Sequence, residues 1–124
     1  MDYKDFHKAL LVGIAWEAAS DSGFNAMVAV MQCLRNRVKN DDWMSAITAE
    51  IKGGDYVLGQ ETIDTRDPKF INILTAVDQV YDGTRTDMTA GCTYFTRFTT
   101  DPVIASQNYE TKMGYLYFYR PRKE

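Results

Sequence analysis

The sequence predicts a mostly helical α+β protein whose helices come first and whose small β part comes last. Apolar residues recur at helical spacing through the first two thirds of the chain, and Gly, Asp and Pro divide that part into four segments. The last third is rich in Thr and aromatic residues, which favour extended chain. A length of 124 residues suits one domain that folds without disulfides or metal. We expect a single domain over residues 1–124 and a monomer.

The first two helices are predicted over Asp2–Ala19 and Asn25–Val38, separated by a break at Ser20–Gly23. In the first helix, the stripe predicted to face the core consists of Phe6, Leu10, Gly13, Ile14 and Ala18. In the break, Asp21 is a predicted helix cap. The second helix is apolar around most of its circumference, so we expect it at the centre of the molecule.

The next two helices are predicted from their caps and stops. One runs from Trp43 to about Ile51, with Asp41 or Asp42 as its cap and Gly53-Gly54 as its stop. The other follows Asp67-Pro68 and ends at Gly83. The stretch between them has no clear period and is predicted to be a loop.

After Gly83, the sequence predicts a small β or irregular part. Thr93, Tyr94 and Phe95 belong to a segment crowded with threonines, and the tail around Phe118 is again aromatic. Because side chains alternate along a strand, Tyr115, Tyr117 and Tyr119 would share one face.

Composition argues against several classes of function. With 14 basic and 17 acidic residues, the net charge of −3 lacks the positive excess that nucleic-acid binding needs. No stretch approaches the roughly 18 consecutive apolar residues of a membrane span, so we expect no membrane insertion. His7 is the single histidine, and Cys33 and Cys92 have no ligand spacing, so we expect no metal and no cofactor. The two cysteines predict buried thiols, with a disulfide between them as the alternative.

Glu17 is a carboxylate where the helical pattern favours an apolar residue. At roughly 100° per residue it falls in one sector with Leu10 and Ile14, in the last turn of the first helix. Burial and the helix dipole there both disfavour the charged form, so the carboxyl can hold a proton and act as a general acid. The alternative is an ion pair with Arg35 or Arg37 of the next helix.

Three blocks of the sequence resemble the SleB-type cell wall hydrolases, the spore-cortex-lytic family. In residues 16–38, a Glu-Ala pair is followed by an acidic, glycine-containing turn and an Ala-Val helix that ends in Asn36-Arg37-Val38. Asp87-Met88-Thr89-Ala90-Gly91-Cys92-Thr93-Tyr94-Phe95 resembles the family's Asp-Pro-Thr-x-Gly-Ala-x-Tyr-Phe. Gly114-Tyr115-Leu116-Tyr117-Phe118-Tyr119 resembles its closing Gly-x-His-x-Phe-Tyr, with Leu116 in place of the histidine.

The resemblance implies a lysozyme-like fold with Glu17 as the catalytic glutamate beside a cleft. It also implies a lytic transglycosylase, in which one glutamate first protonates the leaving glycosidic oxygen. The same glutamate then accepts a proton from the C6 hydroxyl of N-acetylmuramic acid, which gives a 1,6-anhydro product. The partner would be the glycan strands of peptidoglycan.

A glycan site needs aromatic faces and fixed polar groups. The residues predicted to bind substrate are Thr93, Tyr94, Tyr115, Tyr117 and Gln60. For the aromatic and Thr positions the alternative is packing, which we favour for Phe95, Phe118 and Trp16. We interpret Asn36 and Arg37 as structural, with Arg37 closing a helix or pairing with an acid.

Two other functions remain open. A hydrolytic muramidase would pair Glu17 with a second acid, for which the candidates are Asp21, Asp55, Glu61, Asp64 and Asp87. Asp21 and Asp87 also have structural uses, as a cap and a turn residue. A non-catalytic module would hold peptidoglycan without cleaving it, for example in a phage particle.

The N-terminus lacks the features of a secretory signal, so we expect synthesis in the cytoplasm. The protein would then reach the bacterial cell wall after its release from the cytoplasm, as a phage endolysin does, or as part of a virion.

Overall fold

The computed structural model describes residues 3–54, 56, 63–98 and 107–121. Within them lie four helices and three strands: α1 (Tyr3–Ala19), α2 (Phe24–Arg37), α3 (Trp43–Gly53), α4 (Pro68–Asp82), β1 (Tyr94–Thr96), β2 (Gln107–Met113) and β3 (Leu116–Pro121). The strands form one antiparallel sheet in the order β1-β3-β2. The predicted α+β class, mostly helical with a small β part, is confirmed.

Helix α2 is the centre of the molecule, as its composition predicts. Every residue from Ala26 to Leu34 is buried, and α1, α3, α4 and β1 all contact this helix. Gln32 is the polar member of that run, and its side chain bonds the main chain of Thr86 and Met88. A helix enclosed on all sides must be apolar nearly all round, because every face packs against a neighbour.

The predicted ends of α3 and α4 are confirmed by their caps. Asp42 accepts a hydrogen bond from Ser45 N at 3.0 Å, and Asp67 accepts one from Lys69 N at 2.9 Å. Gly83 ends α4 in the left-handed region at φ 76°, where glycine has no steric penalty. Local sequence therefore sets both boundaries.

The predicted core stripe of α1 is wrong at its N-terminal end. Phe6 is 45% exposed, whereas His7, one position further, is 8% exposed and lies 2.8 Å from the Tyr81 hydroxyl through Nδ1. The buried face continues through Leu11, Ile14 and Ala15. The bond to Tyr81 gives the Nδ1 atom of this buried polar side chain a hydrogen-bond partner.

The predicted cap at Asp21 is also wrong. Residues Ser20–Ser22 form a short 3-10 turn, and the N-cap of α2 is Gly23 at φ 95°, with no side-chain cap bond. Asp21 instead forms an ion pair with Arg97, far along the chain. The positive φ of Gly23 directs the chain into α2 without a capping side chain.

The sheet packs one face against the helices. Phe118 is fully buried and contacts Phe95 at 6.3 Å between ring centroids, so packing is confirmed for Phe118. A two-residue turn, Gly114-Tyr115, joins β2 to β3, with Gly114 at φ 58°. The prediction that Tyr115 shares a strand face with Tyr117 and Tyr119 is wrong, because this turn interrupts the extended tail.

Two composition-based predictions are also addressed by the structure. Cys33 and Cys92 are both buried free thiols, which confirms that prediction and not the disulfide alternative. Burial raises the pKa of both thiols, for Cys92 to about 11. Among the described residues, no helix is both long and apolar enough to cross a membrane.

Candidate functional site

A cleft of about 1000 Å³ lies where the end of α1 and the end of α3 meet β1. Its helical wall consists mainly of Trp16, Glu17, Ala18, Arg37, Glu50 and Tyr56. Its sheet wall consists mainly of Thr93, Tyr94, Phe95, Thr96, Arg97, Phe98 and Leu116. The carboxyl groups of the described lining therefore lie on the helical wall, and aromatic and hydroxyl groups occur on both walls.

Glu17 lines this cleft from the last turn of α1. Its side chain is half-buried and its Oε2 atom is shielded from solvent. The position lies at the border between the core face of α1 and the cleft, which is why the helical pattern places it on the core side. The two arginines considered as ion-pair partners bind other groups: Arg35 donates to Tyr81 O at 2.8 Å, and Arg37 binds Glu50.

Glu50 is a second carboxylate of the cleft among the residues that the structure describes, and the sequence analysis missed it. Its Oε1 accepts from Arg37 Nη1 at 2.6 Å, and its Oε2 accepts from the Tyr56 hydroxyl at 2.6 Å. Its side chain is 14% exposed. A signal was present, because Glu50 follows the buried Ala46 and Ile47 by four and three residues and so falls on the core side of α3.

Tyr56 remains a neutral phenol at the edge of this carboxylate pair. Burial raises its pKa, and the negative charges of Glu50 and Glu17 act in the same direction, while Arg37 opposes them. Its hydroxyl hydrogen is directed at Glu50. Glu17, Glu50 and Tyr56 all line the same cleft.

Arg37 joins the two walls. Besides its ion pair with Glu50, it donates through Nε to Thr93 O at 2.5 Å and lies 5.7 Å from the Phe95 ring centroid. The predicted pairing of Arg37 with an acid is confirmed. These contacts hold the start of β1 against α2 and α3.

Arg97 makes a second connection between the walls, next to Glu17. Its guanidinium donates to both carboxylate oxygens of Asp21, at 2.6 and 3.0 Å, and to Ala18 O at 2.9 Å. The hydrogen bond and charge of Arg97 hold the pKa of Asp21 below its usual range. Arg97 therefore satisfies a carbonyl at the end of α1 directly after Glu17.

The structure brings together only some of the predicted substrate residues. Thr93 and Tyr94 line the cleft with Glu17. Tyr115 and Tyr117 are not among its lining residues. The Arg97 guanidinium carbon lies over the Tyr115 ring, 5.7 Å from the ring centroid. Tyr117 lies on β3 against Tyr109. Gln60 is outside the described residues.

The described aspartates among the candidates for a second acid, Asp21, Asp64 and Asp87, have structural partners. Asp87 organises a turn by accepting from Thr89 N, Thr89 Oγ1 and Gly91 N, which confirms its predicted use. Asn36 donates to Asp87 and to Cys92 O, so its structural interpretation is confirmed as well. Asp64 is an exposed partner of Arg66.

Asp55 and Glu61 are outside the described residues. In the part of the chain that the structure describes, no group of three His, Cys, Asp or Glu side chains is arranged to hold a metal ion. The described side chains that line the cleft include the carboxyl groups of Glu17 and Glu50 and the phenol of Tyr56.

Comparison with known proteins does not identify a family. No protein-family model, no curated protein and no solved structure is detectably similar to this chain. The assignment of a reaction therefore rests on the cleft and on the sequence motifs.

Proposed function

We propose that the protein cleaves the β-1,4 glycosidic bond between N-acetylmuramic acid and N-acetylglucosamine in peptidoglycan, with Glu17 as general acid and base. The observation that carries the proposal is the half-buried Glu17 beside a cleft of about 1000 Å³ with aromatic residues on its opposite wall. That volume lies at the upper end of the range for ligand sites, as a site for several sugar rings requires. A partly desolvated carboxyl is the group that protonates a leaving glycosidic oxygen.

The favoured chemistry is that of a lytic transglycosylase. Glu17 donates its proton to the glycosidic oxygen as the bond from that oxygen to C1 of N-acetylmuramic acid breaks. The C6 hydroxyl of the same sugar then bonds to C1, and its proton passes to the Glu17 carboxylate. The products are a 1,6-anhydro end and a free 4-hydroxyl, and Glu17 is protonated again.

The partners of the other described carboxylates support a mechanism with one acid. Both oxygens of Glu50 are engaged, by Arg37 and by Tyr56, and both oxygens of Asp21 bind Arg97. A carboxylate held in this way is poorly suited to activate a water molecule. The intramolecular C6 hydroxyl removes the need for a second base.

A lysozyme-like fold is part of the same proposal. Its support is the arrangement in which a glutamate near the end of a helix faces a small antiparallel sheet across a cleft. Action on the wall would follow release from the cytoplasm or delivery by a virion.

The test is mass spectrometry of the soluble products after purified peptidoglycan is incubated with the wild type. We expect muropeptides that end in the 1,6-anhydro sugar and none from Glu17→Gln. Products with a reducing end would instead indicate a hydrolytic muramidase. The observation that favours this second candidate is the position of Glu50 in the same cleft.

If neither protein releases products but both bind the polymer, the protein is a peptidoglycan-binding structural module. The proposal of catalysis would then be wrong.

A further inference from the structure

The end of α1, which carries Glu17, is bound by a residue from the sheet side of the cleft. Main-chain carbonyl groups in the last turn of a helix have no partner within the helix, and such ends fray unless other groups bind them. Arg97, directly after β1, donates to Ala18 O at 2.9 Å. The same guanidinium donates to both carboxylate oxygens of Asp21, at 2.6 and 3.0 Å. It therefore binds the chain before and after the last residue of α1.

The turn between β2 and β3 contacts the same segment. Tyr115 N donates to Ser22 Oγ at 2.9 Å. Gly114, at φ 58°, lies so close to Ser22 that a Cβ atom at position 114 would overlap it. The Tyr115 ring also lies against the Arg97 guanidinium. Two parts of the β region therefore meet at the residues that follow Glu17.

The ion pair between Arg97 and Asp21 fixes geometry more than it stabilises the fold. The two side chains are 35% and 53% exposed, so solvent screens their attraction. A guanidinium that binds both oxygens of a carboxylate nevertheless fixes the orientation of its partner, because the two bonds are directional. A general acid needs such precision, since a displacement of about 1 Å can lower a rate about 100-fold.

We propose that Arg97 is a positioning residue for Glu17: it holds the end of α1 against β1, and the Glu17 carboxyl thereby keeps its place in the cleft. This proposal rests on the proposed function, because it ties Arg97 to the reaction of Glu17. Arg97 acts through the main chain of Ala18 and through Asp21, without contact to the reacting atoms. Its loss should therefore lower kcat and leave KM nearly unchanged.

The kinetic test measures the release of anhydro-muropeptides by the wild type, Arg97→Ala, Asp21→Ala and the double variant. We expect Arg97→Ala to lower kcat about tenfold, with KM within about twofold of the wild-type value. Asp21→Ala should also lower kcat, and the double variant should lose no more than Arg97→Ala alone, because the two residues form one contact. The unfolding temperature of each variant establishes that it is folded in the assay.

Arg120→Ala is the matched control. Arg120 forms an ion pair of similar exposure with Glu110 but does not line the cleft, so this variant should keep the wild-type kcat. Asp21→Asn tests whether Asp21 acts through Arg97. It keeps one oxygen as an acceptor and should retain more activity than Asp21→Ala, whereas a second catalytic acid would be lost equally in both variants.

Several kinetic results overturn the proposal. One is a folded Arg97→Ala that keeps the wild-type kcat. Another is a rise in KM with unchanged kcat, which would mean that Arg97 binds the substrate itself. Additive losses in the double variant would mean that Arg97 and Asp21 act separately. Equal losses in Asp21→Asn and Asp21→Ala would assign Asp21 to the chemistry instead.

Hydrogen exchange separates this proposal from the proposed function, because it requires no activity. We expect main-chain amides around the end of α1 to exchange about fivefold faster in Arg97→Ala than in the wild type, and amides in the centre of α2 to exchange equally in both. If the wild type releases anhydro products but Arg97→Ala keeps its kcat and exchange rates, positioning by Arg97 is wrong and the enzyme assignment stands. If the wild type releases nothing, the catalytic assignment is wrong. Faster exchange confined to the end of α1 would then still support the hold of Arg97 on this helix, and unchanged exchange would overturn it.

Discussion

The helical core and the cleft are held together by different kinds of interaction. Around α2, residues such as Met27, Met31 and Leu34 have no solvent exposure and contact other apolar side chains. Around the cleft, the connections are polar and join distant parts of the chain, as in the bond from Arg37 to Thr93 O. The stabilisation that apolar burial provides does not depend on the charge state of side chains. The attraction between paired charges depends on their ionisation and is screened by salt. The core should therefore set global stability, and the polar connections should set the shape of the cleft.

Met31→Ala should produce the largest change in stability. Met31 is fully buried in α2, so truncation removes apolar contacts and leaves a cavity. We expect the free energy of unfolding to fall by about 3 kcal/mol, as measured by urea denaturation. Ile71→Ala is the control, because Ile71 is 68% exposed and its truncation should cost less than about 0.5 kcal/mol. Comparable losses in the two variants would contradict the location of the core.

Arg37→Ala should have the next largest effect, and it should also alter the cleft. The change leaves the Glu50 carboxylate, which is 14% exposed, without its cation and Thr93 O without its donor. We expect a loss of about 2 kcal/mol together with weaker binding of glycan. Arg37→Lys retains the charge, but an ammonium group cannot bind Glu50 and Thr93 O at once as the planar guanidinium does. The stability and glycan affinity of this variant should fall between those of the wild type and Arg37→Ala. A loss confined to stability, with unchanged glycan binding, would separate Arg37 from the cleft.

Asp87→Asn should have an effect that depends on pH. Burial disfavours the Asp87 charge, but the bonds from Thr89, Asn36 and Gly91 outweigh it and hold the pKa of this carboxyl below its usual value. A lowered folded pKa adds stability above the unfolded pKa of about 4, and that stability is lost as the pH falls through the folded value. We expect Asp87→Asn to cost about 1 kcal/mol at neutral pH and progressively less towards about pH 2. Thermal unfolding across this range measures the difference, and a constant gap at all pH values would contradict the assignment.

Arg97→Ala should have the smallest effect on stability. Arg97 and Asp21 are half exposed, with 35% and 53% of their side chains accessible, so solvent screens their attraction. We expect a loss below about 1 kcal/mol that shrinks further at about 1 M salt. Urea denaturation at low and high salt measures it. A larger loss that salt does not reduce would mean that Arg97 acts by packing.

Sequence alone predicts the parts of the fold that depend on local signals. The caps at Asp42 and Asp67, the stop at Gly83 and the central position of α2 all follow from neighbouring residues. The failures involve distant partners. Phe6 loses its predicted core position because His7 meets Tyr81, and Asp21 is not a cap because it meets Arg97.

The candidate site also contains residues that local sequence predicts and residues that it does not. Glu17 can be found from one helix, because a carboxylate on a core-facing sector is visible in the local pattern. Glu50 carries the same signal on α3, but its role depends on Arg37 and Tyr56, which lie outside that helix. The exclusion of Tyr115 and Tyr117 from the cleft depends on the Gly114 turn and on the β1-β3-β2 strand order.

The proposed mechanism assigns the chemistry of the cleft to Glu17 and not to Glu50. The most direct measurement is the initial rate of anhydro-muropeptide release by the wild type, Glu17→Gln and Glu50→Gln, each with its unfolding temperature recorded. We predict that Glu17→Gln lowers the rate at least about 100-fold, because the general acid is lost. Glu50→Gln should lower the rate less than about tenfold, because the amide still accepts from Arg37 or Tyr56. A folded Glu17→Gln that retains the wild-type rate, or a folded Glu50→Gln that loses all of it, would contradict the account.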